Sequence, residues 1–237
     1  MDVLKVELKN AGYEGNKNII HTIEFTLKKG ELIGLIGSNG AGKSTTIKGI
    51  LGILPNRKGD VKITEGHTYS YIPERPVFYD ELTLWEHLDF IAAVERLEEK
   101  QYRIDAERLV KKFSLHEHIH QFPQTFSKGM QQKAMLVLAF ISKPDIYIID
   151  EPFMGLDPMA MKLLLNYIQE EKTRGAGIIM STHELDTAEK ICDRFLVMHH
   201  GTLVAKGTIE DFREECGWNE ASLFDCFHHI VGELDNE

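Results

Sequence analysis

The first sixty residues alternate between short apolar runs and turn-forming residues. Apolar side chains cluster at residues 3–8 and alternate with polar ones at residues 23–27, which is typical of half-buried strands. Residues 32–36 form a continuous apolar run before a glycine-rich segment, as in a strand buried on both faces. A helix is predicted over residues 42–51, where the glycine and proline that follow close it.

The middle of the chain, from about residue 75 to residue 142, is more polar and helical in spacing. Thr83 and Glu86 have the three-residue separation of a capping box, in which each side chain bonds the other's backbone N–H at a helix start. This segment therefore predicts a block of helices inserted between strand-rich parts.

Buried strands return in the last third of the chain, at residues 146–149 and 177–180, and helical patterns follow them. Gly201 and Gly207 are predicted to bracket a hairpin of short strands, and the tail from about Asn219 has helical spacing. Strands that alternate with helices predict an α/β fold with a mostly parallel sheet.

Composition limits the partners of this chain. Of 237 residues, 27 are Lys or Arg and 37 are Asp or Glu, which gives a net charge of 27 − 37 = −10. An acidic surface argues against nucleic acid as the main partner, because nucleic acid attracts basic surfaces. The longest apolar run, residues 134–141, is far shorter than the roughly 20 residues of a membrane-spanning helix. Any membrane crossing is therefore expected in another chain.

A phosphate-binding loop follows the buried strand at residues 32–36, and it matches the pattern G-x-x-x-x-G-K-[ST]. Glycines let the backbone wrap around phosphate oxygens, and successive N–H groups then point inward at a positive helix end. Lys43 supplies a mobile charge for the outer phosphates, and the Ser44 hydroxyl is placed to bind Mg²⁺. A glycine-rich turn could match by chance, but the flanking strand and helix argue against it. The predicted nucleotide-binding residues are Gly37, Ser38, Asn39, Gly40, Ala41, Gly42, Lys43, Ser44 and Thr45.

Two carboxylates end the apolar strand at residues 146–149. Open α/β sheets bind ligands at the carboxyl ends of their strands. Asp150 is therefore predicted to hold Mg²⁺, and Glu151 to polarise the water that attacks the γ-phosphate. Alone, an acidic turn would explain both residues. Together with the phosphate loop they predict a P-loop NTPase, with Lys43 and Glu151 as catalytic residues. They do not decide which kind, because a small-molecule kinase would also have the loop, although it would not require the glutamate.

Residues 126–132, Phe-Ser-Lys-Gly-Met-Gln-Gln, resemble the signature sequence of ATP-binding cassette (ABC) proteins. Ser127 stands 150 − 127 = 23 residues before Asp150, the usual arrangement in that family. It is also a good N-cap, which puts it and the Gly129 N–H at a positive helix end. The resemblance implies that both contact the γ-phosphate of ATP held by a second copy, in a head-to-tail homodimer. Capping alone is the plainer role for Ser127.

Three further residues stand where ABC proteins have functional ones. Tyr13 matches an aromatic that stacks on adenine, although a tyrosine at a strand end is common. Asp157 matches the D-loop residue that reaches across the dimer, although Asp before Pro158 also suits a turn. His183 matches the switch histidine that contacts the γ-phosphate, although a lone histidine is more often structural.

The chain departs from the family pattern at two positions. Lys128 replaces the first signature glycine, and either adds charge near the γ-phosphate or points to solvent. Glu74 replaces the Q-loop glutamine. A carboxylate can still bind Mg²⁺, so Glu74 joins Ser44 and Asp150 as a predicted metal ligand, but it cannot donate a hydrogen bond as an amide does.

The finer resemblance is to Ecs-type ATP-binding subunits, and it is carried by four segments: residues 71–74, 79–84, 126–130 and 147–153. It implies the ABC ATPase fold, with a RecA-like P-loop core, an antiparallel β subdomain and an inserted α-helical subdomain. We expect one domain over 1–237, in which 1–74 and 145–237 form the core with the β subdomain, and 75–144 form the helical subdomain.

The same resemblance implies a partner and a location. Such subunits pair with a separate multi-span transmembrane permease, and the Ecs type is usually grouped with exporters. We expect the protein at the cytoplasmic face of the cell membrane, docked through residues 74–85. Within that segment four side chains offer anchors or, alternatively, belong to the protein's own core: Phe78, Tyr79, Leu82 and Trp85.

Two other functions stay open from the sequence. One is an ABC ATPase that acts on DNA or the ribosome, although the 127 − 74 = 53 residues between Glu74 and Ser127 lack the sustained heptads of a coiled coil. The other is a P-loop phosphotransferase, which would need neither the signature nor His183.

Overall fold

The computed structural model describes residues 1–234, which form nine strands and eight α-helices. The strands are β1 (Asp2–Tyr13), β2 (Asn16–Lys28), β3 (Leu32–Ile36), β4 (Asn56–Ile63), β5 (Tyr69–Ile72), β6 (Ile146–Asp150), β7 (Gly177–Thr182), β8 (Arg194–His199) and β9 (Thr202–Gly207). The helices are α1 (Lys43–Ile50), α2 (Leu84–Val94), α3 (Glu99–Lys112), α4 (Lys128–Phe140), α5 (Pro158–Arg174), α6 (Leu185–Ile191), α7 (Ile209–Cys216) and α8 (Leu223–Leu234).

All nine strands belong to one sheet, in the order β4-β1-β2-β9-β8-β3-β7-β6-β5. From β8 to β5 the neighbours pair in parallel. At the other end β1 pairs antiparallel with β2 and β4, and β9 pairs antiparallel with β8. The parallel core predicted from the strand–helix alternation is confirmed, and an antiparallel layer extends it.

The central strands are apolar throughout because helices or strands cover both of their faces. Every residue of β3, β6 and β7 is buried. Along β6, Tyr147 and Ile149 pack in the cluster that includes α2 to α5, whereas Ile146 and Ile148 pack in the cluster that includes α1 and the antiparallel strands. This two-sided burial explains why the apolar run lacks the alternation of a half-buried strand.

The predicted helical block is present, since α2, α3 and α4 all lie between β5 and β6. Thr83 caps α2 in the reciprocal box predicted for it. Its hydroxyl accepts from the Glu86 N–H, and its own N–H donates to the Glu86 carboxylate. The division into subdomains at residues 75 and 144 remains a proposal.

The hairpin near the carboxyl end differs from its prediction. Gly201 does not precede the hairpin but lies in its turn, between β8 and β9, and Gly207 ends the second strand. His200 and Gly201 both have positive φ, 42° and 77°, which is the turn geometry that matches the twist of two antiparallel strands. The glycine is therefore needed at the tip of the hairpin. The tail helix is present as α8.

Within residues 1–234, none of the helices is both long enough and apolar enough to span a membrane.

Candidate functional site

The phosphate loop connects the end of β3 to the start of α1, and two of its glycines have no room for a side chain. Gly42 caps α1 with φ 102°, and a Cβ there would lie 3.2 Å from Gly201 Cα and from Ile20 Cγ2. A Cβ at Gly37 would lie 2.5 Å from the Met198 carbonyl oxygen. The glycines of this motif thus meet a steric need in the protein itself, besides the need of a bound phosphate.

Lys43 begins α1, and its ammonium is turned into the loop. The side chain is buried, and Nζ donates to the Gly37 carbonyl at 2.8 Å and to the Ser38 carbonyl at 3.3 Å. The same nitrogen lies 3.3 Å from Oε1 of Glu151. A buried ammonium needs partners of this kind, and it is placed where the outer phosphates of a nucleotide would sit.

Asp150 ends β6 at the same edge of the sheet. The Ser44 hydroxyl donates to its Oδ1 at 3.1 Å. Burial raises the pKa of Asp150 above its ordinary value; hydrogen bonds from Ser181 and Ser44 oppose this, and the charge of Glu74 adds to it. Mg²⁺ takes oxygen ligands, so a hydroxyl beside a carboxylate fits this ion.

Glu151 follows Asp150 and lies between two nitrogen groups. Its Oε2 is 2.9 Å from His183 Nδ1, and its Oε1 faces Lys43. An ionised carboxylate can only accept, so the imidazole donates from Nδ1 and its tautomer is fixed by this bond. The Glu151 backbone has φ 46°, a conformation that side-chain-bearing residues adopt at a cost and that recurs at functional sites.

A cavity of about 530 Å³ brings most of the predicted site together. Its volume lies within the range of small-molecule sites. Besides Ile19 and Met154, it is lined by predicted residues: Asn39, Gly40, Gly42, Lys43, Ser44, Thr45, Glu74, Glu151 and His183.

Glu74, the residue in place of a glutamine, thus shares a cavity with Ser44. Tyr71 lies nearby, and its pKa is raised to about 12, first by burial and then by the charges of Asp150 and Glu74. Two of the predicted metal ligands, Ser44 and Asp150, are in direct contact, and Glu74 lines the same space.

Gly37, Ser38 and Ala41 of the phosphate loop and Asp150 at the end of β6 do not line this cavity themselves, and four further predicted residues also lie outside its lining. Tyr13 ends β1 with its ring 39% exposed, and Lys48 of α1 donates to its hydroxyl at 3.3 Å. Ser127 is exposed and caps α4 by accepting from the Met130 N–H at 3.3 Å. Gly129 lies in the first turn of the same helix.

Asp157 is the fourth. It caps α5 by accepting from the Ala160 N–H at 2.9 Å, and its other carboxylate oxygen lies 2.7 Å from Lys133 of α4. The ion pair joins the segment before α5 to the helix that begins at the signature sequence.

Two contributors to the site were missed by the sequence analysis. Ser181 near the end of β7 contacts both Asp150 and the backbone of Glu151. Gly201 in the hairpin turn donates its N–H to the Ala41 carbonyl of the phosphate loop at 2.9 Å. A serine interrupting an apolar strand two residues before His183 was a signal for the first. Nothing local in the sequence signals the second.

A family model described as ABC transporter matches residues 20–154. This chain belongs to the ABC transporter family. Among ABC proteins of Bacillus subtilis (strain 168), it is 50% identical over 230 residues to the uncharacterized ABC transporter ATP-binding protein YthP, with 97% of each chain covered. It is 42% identical over 243 residues to the ABC-type transporter ATP-binding protein EcsA, with 98% of each covered.

A solved structure described as the ATP-binding subunit of an ABC transporter has a TM-score of 0.91 to this ABC protein, at 44% identity, and covers 97% of this chain and 99% of that one. The expected ABC ATPase fold and the resemblance to Ecs-type subunits are confirmed. The protein is an ABC transporter ATP-binding subunit, and it is an ATPase because this family hydrolyses ATP. The phosphotransferase alternative is thereby set aside.

Proposed function

We propose that two copies of this chain bind two MgATP, close head to tail, and drive a separate multi-span membrane protein in export. The observation that carries the proposal is the 530 Å³ cavity, in which the phosphate loop, Glu74, Glu151 and His183 converge. One chain thus supplies the groups for binding and hydrolysis, and the energy has to be delivered to another chain.

Each residue of the cavity has a role in this proposal. The loop N–H groups and Lys43 hold the phosphates, while Ser44 and Asp150, with Glu74 near them, would hold Mg²⁺. When bound, that ion supplies positive charge against the charge that develops on the phosphates. Lys43 exchanges its contact with Glu151 for the phosphates, which leaves Glu151 free to accept a proton from the attacking water. His183 orients the Glu151 carboxylate and faces the γ-phosphate.

The signature sequence provides the support for dimerisation. Ser127 and Lys128 at the start of α4 are exposed and lie outside the ATP cavity of their own chain, and the N–H groups that follow form a positive helix end. A second copy would bring its γ-phosphate to this end. Asp157 then contacts the second copy near the same junction.

The proposed docking surface for the membrane protein is a groove of about 520 Å³ beside α2, lined by Val77, Phe78, Tyr79 and Phe90 among others. Val77 is 77% exposed and Tyr79 is 57% exposed. Phe78 and Trp85 are partly buried against the core below. Of the two roles considered for the predicted anchors, Tyr79 therefore suits docking, whereas Phe78 and Trp85 also serve the core.

The test is co-purification of the full chain with a multi-span membrane protein encoded beside it, in detergent. Val77→Asp and Tyr79→Ala should reduce recovery of the complex while ATP binding by the isolated chain stays unchanged. Tyr69→Ala is the matched control, because Tyr69 is 47% exposed and lies outside the groove. Recovery that is equal for all three variants would contradict this docking surface.

A further inference from the structure

Ser181 is a fully buried serine on β7, directly opposite Asp150 of β6 in the parallel pairing. Its hydroxyl oxygen lies 2.6 Å from Oδ1 of Asp150 and 3.0 Å from the backbone nitrogen of Glu151. One side chain therefore touches both residues to which the hydrolytic chemistry is assigned.

The direction of both hydrogen bonds follows from the groups involved. An ionised carboxylate only accepts, so the single hydroxyl proton of Ser181 is donated to Asp150. The oxygen of Ser181 then accepts the N–H of Glu151, which also points at the Ser181 carbonyl at 3.2 Å. Ser181 thus links the two residues, since it donates to Asp150 and accepts from Glu151.

At Asp150, the hydrogen bonds from two hydroxyls set the direction of the carboxylate. Oδ1 accepts from Ser181 at 2.6 Å and from Ser44 at 3.1 Å. No hydrogen bond in residues 1–234 uses Oδ2. Two hydroxyls hold one oxygen, so the carboxylate cannot rotate without losing both bonds, and the other oxygen stays open to a cation.

At Glu151, the hydrogen bonds to Ser181 hold a strained backbone in place. With φ 46°, Glu151 has left the β conformation of the strand before it, although its N–H still points at β7. A strained residue persists only where its surroundings hold it. Here the hydroxyl and the carbonyl of Ser181 hold the buried N–H, and the side chain of Glu151 is thereby aimed at Lys43 and His183.

We propose that Ser181 is a positioning residue for ATP hydrolysis, which aligns the metal-binding carboxylate of Asp150 with the water-activating carboxylate of Glu151. The proposal rests on the roles given above to Asp150 and Glu151. A serine that merely satisfies its hydrogen bonds in the core would affect stability alone, whereas a positioning residue changes turnover and the Mg²⁺ dependence of ATP binding.

The experiment compares the full chain with Ser181→Ala. We expect kcat to fall about 10- to 100-fold, the range for a lost hydrogen bond to a charged group. By calorimetry, ATP affinity in EDTA should stay within about twofold of the unaltered chain, and the gain in affinity on adding Mg²⁺ should shrink about 10-fold. Ser181→Cys, which keeps a weak S–H donor, should recover part of kcat. Ser142→Ala is the matched control, because Ser142 follows α4 and its hydroxyl donates to the Ala139 carbonyl at 3.4 Å.

Backbone hydrogen exchange gives a readout that does not depend on activity, and its first measurement needs no variant. In the unaltered, nucleotide-free chain the Glu151 amide should be strongly protected, and in Ser181→Ala it should exchange at least 10-fold faster. Fast exchange of this amide in the unaltered chain would overturn the proposal even if Ser181→Ala failed to fold. Unchanged kcat and Mg²⁺ dependence in a folded Ser181→Ala would overturn it as well.

The same series separates this proposal from the one on which it rests. If Glu151→Gln kept its turnover, the role assigned to Glu151 would be wrong. If Glu151→Gln were inactive while Ser181→Ala behaved like the unaltered chain, only the positioning role of Ser181 would be wrong.

Discussion

The two anion sites proposed for this protein are built in opposite ways. At the carboxyl ends of β3, β6 and β7, the functional side chains are buried and held by at least one hydrogen bond or ion pair each, as for Lys43, Asp150 and Glu151. At the start of α4, Ser127 and Lys128 are exposed, and within residues 1–234 the Ser127 hydroxyl hydrogen-bonds only to its own helix.

The difference indicates which half of the chemistry one chain can organise alone. A site that is rigid before its ligand arrives loses little conformational entropy on binding. An exposed helix end in water is worth little until a second surface excludes the solvent around it. We therefore expect one chain to bind the phosphates alone, and the signature site to act only against a second copy.

The largest effect is expected from Glu151→Gln, which removes the base and keeps the shape of the side chain. Turnover should fall by about 10²- to 10⁴-fold, the typical contribution of general base catalysis, while ATP binding persists. Steady-state phosphate release and calorimetry measure the two quantities. Glu99→Gln, an exposed glutamate on α3, serves as the control. Turnover near that of the unaltered chain would mean that the preformed site uses another base.

The signature end is tested next, with two substitutions of Ser127. Ser127→Asp keeps a good N-cap but places a negative charge where a phosphate is expected, and Ser127→Arg blocks the surface. Both should leave nucleotide binding by the monomer intact and abolish the ATP-driven dimer in the Glu151→Gln background, measured by light scattering. If Ser127 merely caps α4, Ser127→Asp should dimerise normally.

A smaller effect is expected at Tyr13, which is partly exposed and whose side chain contacts Lys48 through its hydroxyl and its ring. If its ring stacks on adenine, Tyr13→Ala should weaken ATP binding by about 5- to 100-fold, as base stacking on an aromatic contributes roughly 1–3 kcal/mol. Tyr13→Phe keeps the ring and should bind nearly as well. Equal affinity of the alanine and phenylalanine variants would remove Tyr13 from the site.

The smallest effect concerns the cost of preforming the site. Because the folded state raises the pKa of Asp150, its charged form is disfavoured by folding, so this residue lowers stability as the pH rises through the folded pKa. Asp150→Asn should therefore raise the Tm of the nucleotide-free chain by a few degrees at pH 8, as expected for roughly 1 kcal/mol in a chain of this length. The gain should shrink as the pH falls and vanish only well below the ordinary Asp pKa of 3.8, where Asp150 is protonated in both states. A Tm lowered at pH 8 would show that the carboxylate stabilises the fold.

The sequence predicts the buried site better than the exposed one, for a physical reason. Strand ends, glycines and carboxylates at the phosphate site obey local rules, since burial and close backbone approach leave few alternatives. By contrast, the sequence around Ser127 supports both a cap and a ligand, because an exposed residue is not constrained by its own chain. Ser181 and Gly201 bond residues that lie 31 and 160 positions away. The serine in an apolar strand was a local signal for Ser181, but no local pattern indicates which distant residues either one contacts.

The hairpin turn at Gly201 packs against the phosphate loop and supports it from outside the motif. Its N–H donates to the Ala41 carbonyl, its carbonyl accepts from the His21 N–H, and its Cα would lie 3.2 Å from a Cβ added at Gly42. The phosphate loop thus packs against a hairpin turn that lies in the last third of the chain. The methyl group of Gly201→Ala would overlap the Ile19 carbonyl. We therefore expect this substitution to deform the phosphate loop, although it changes none of the residues of the loop's motif.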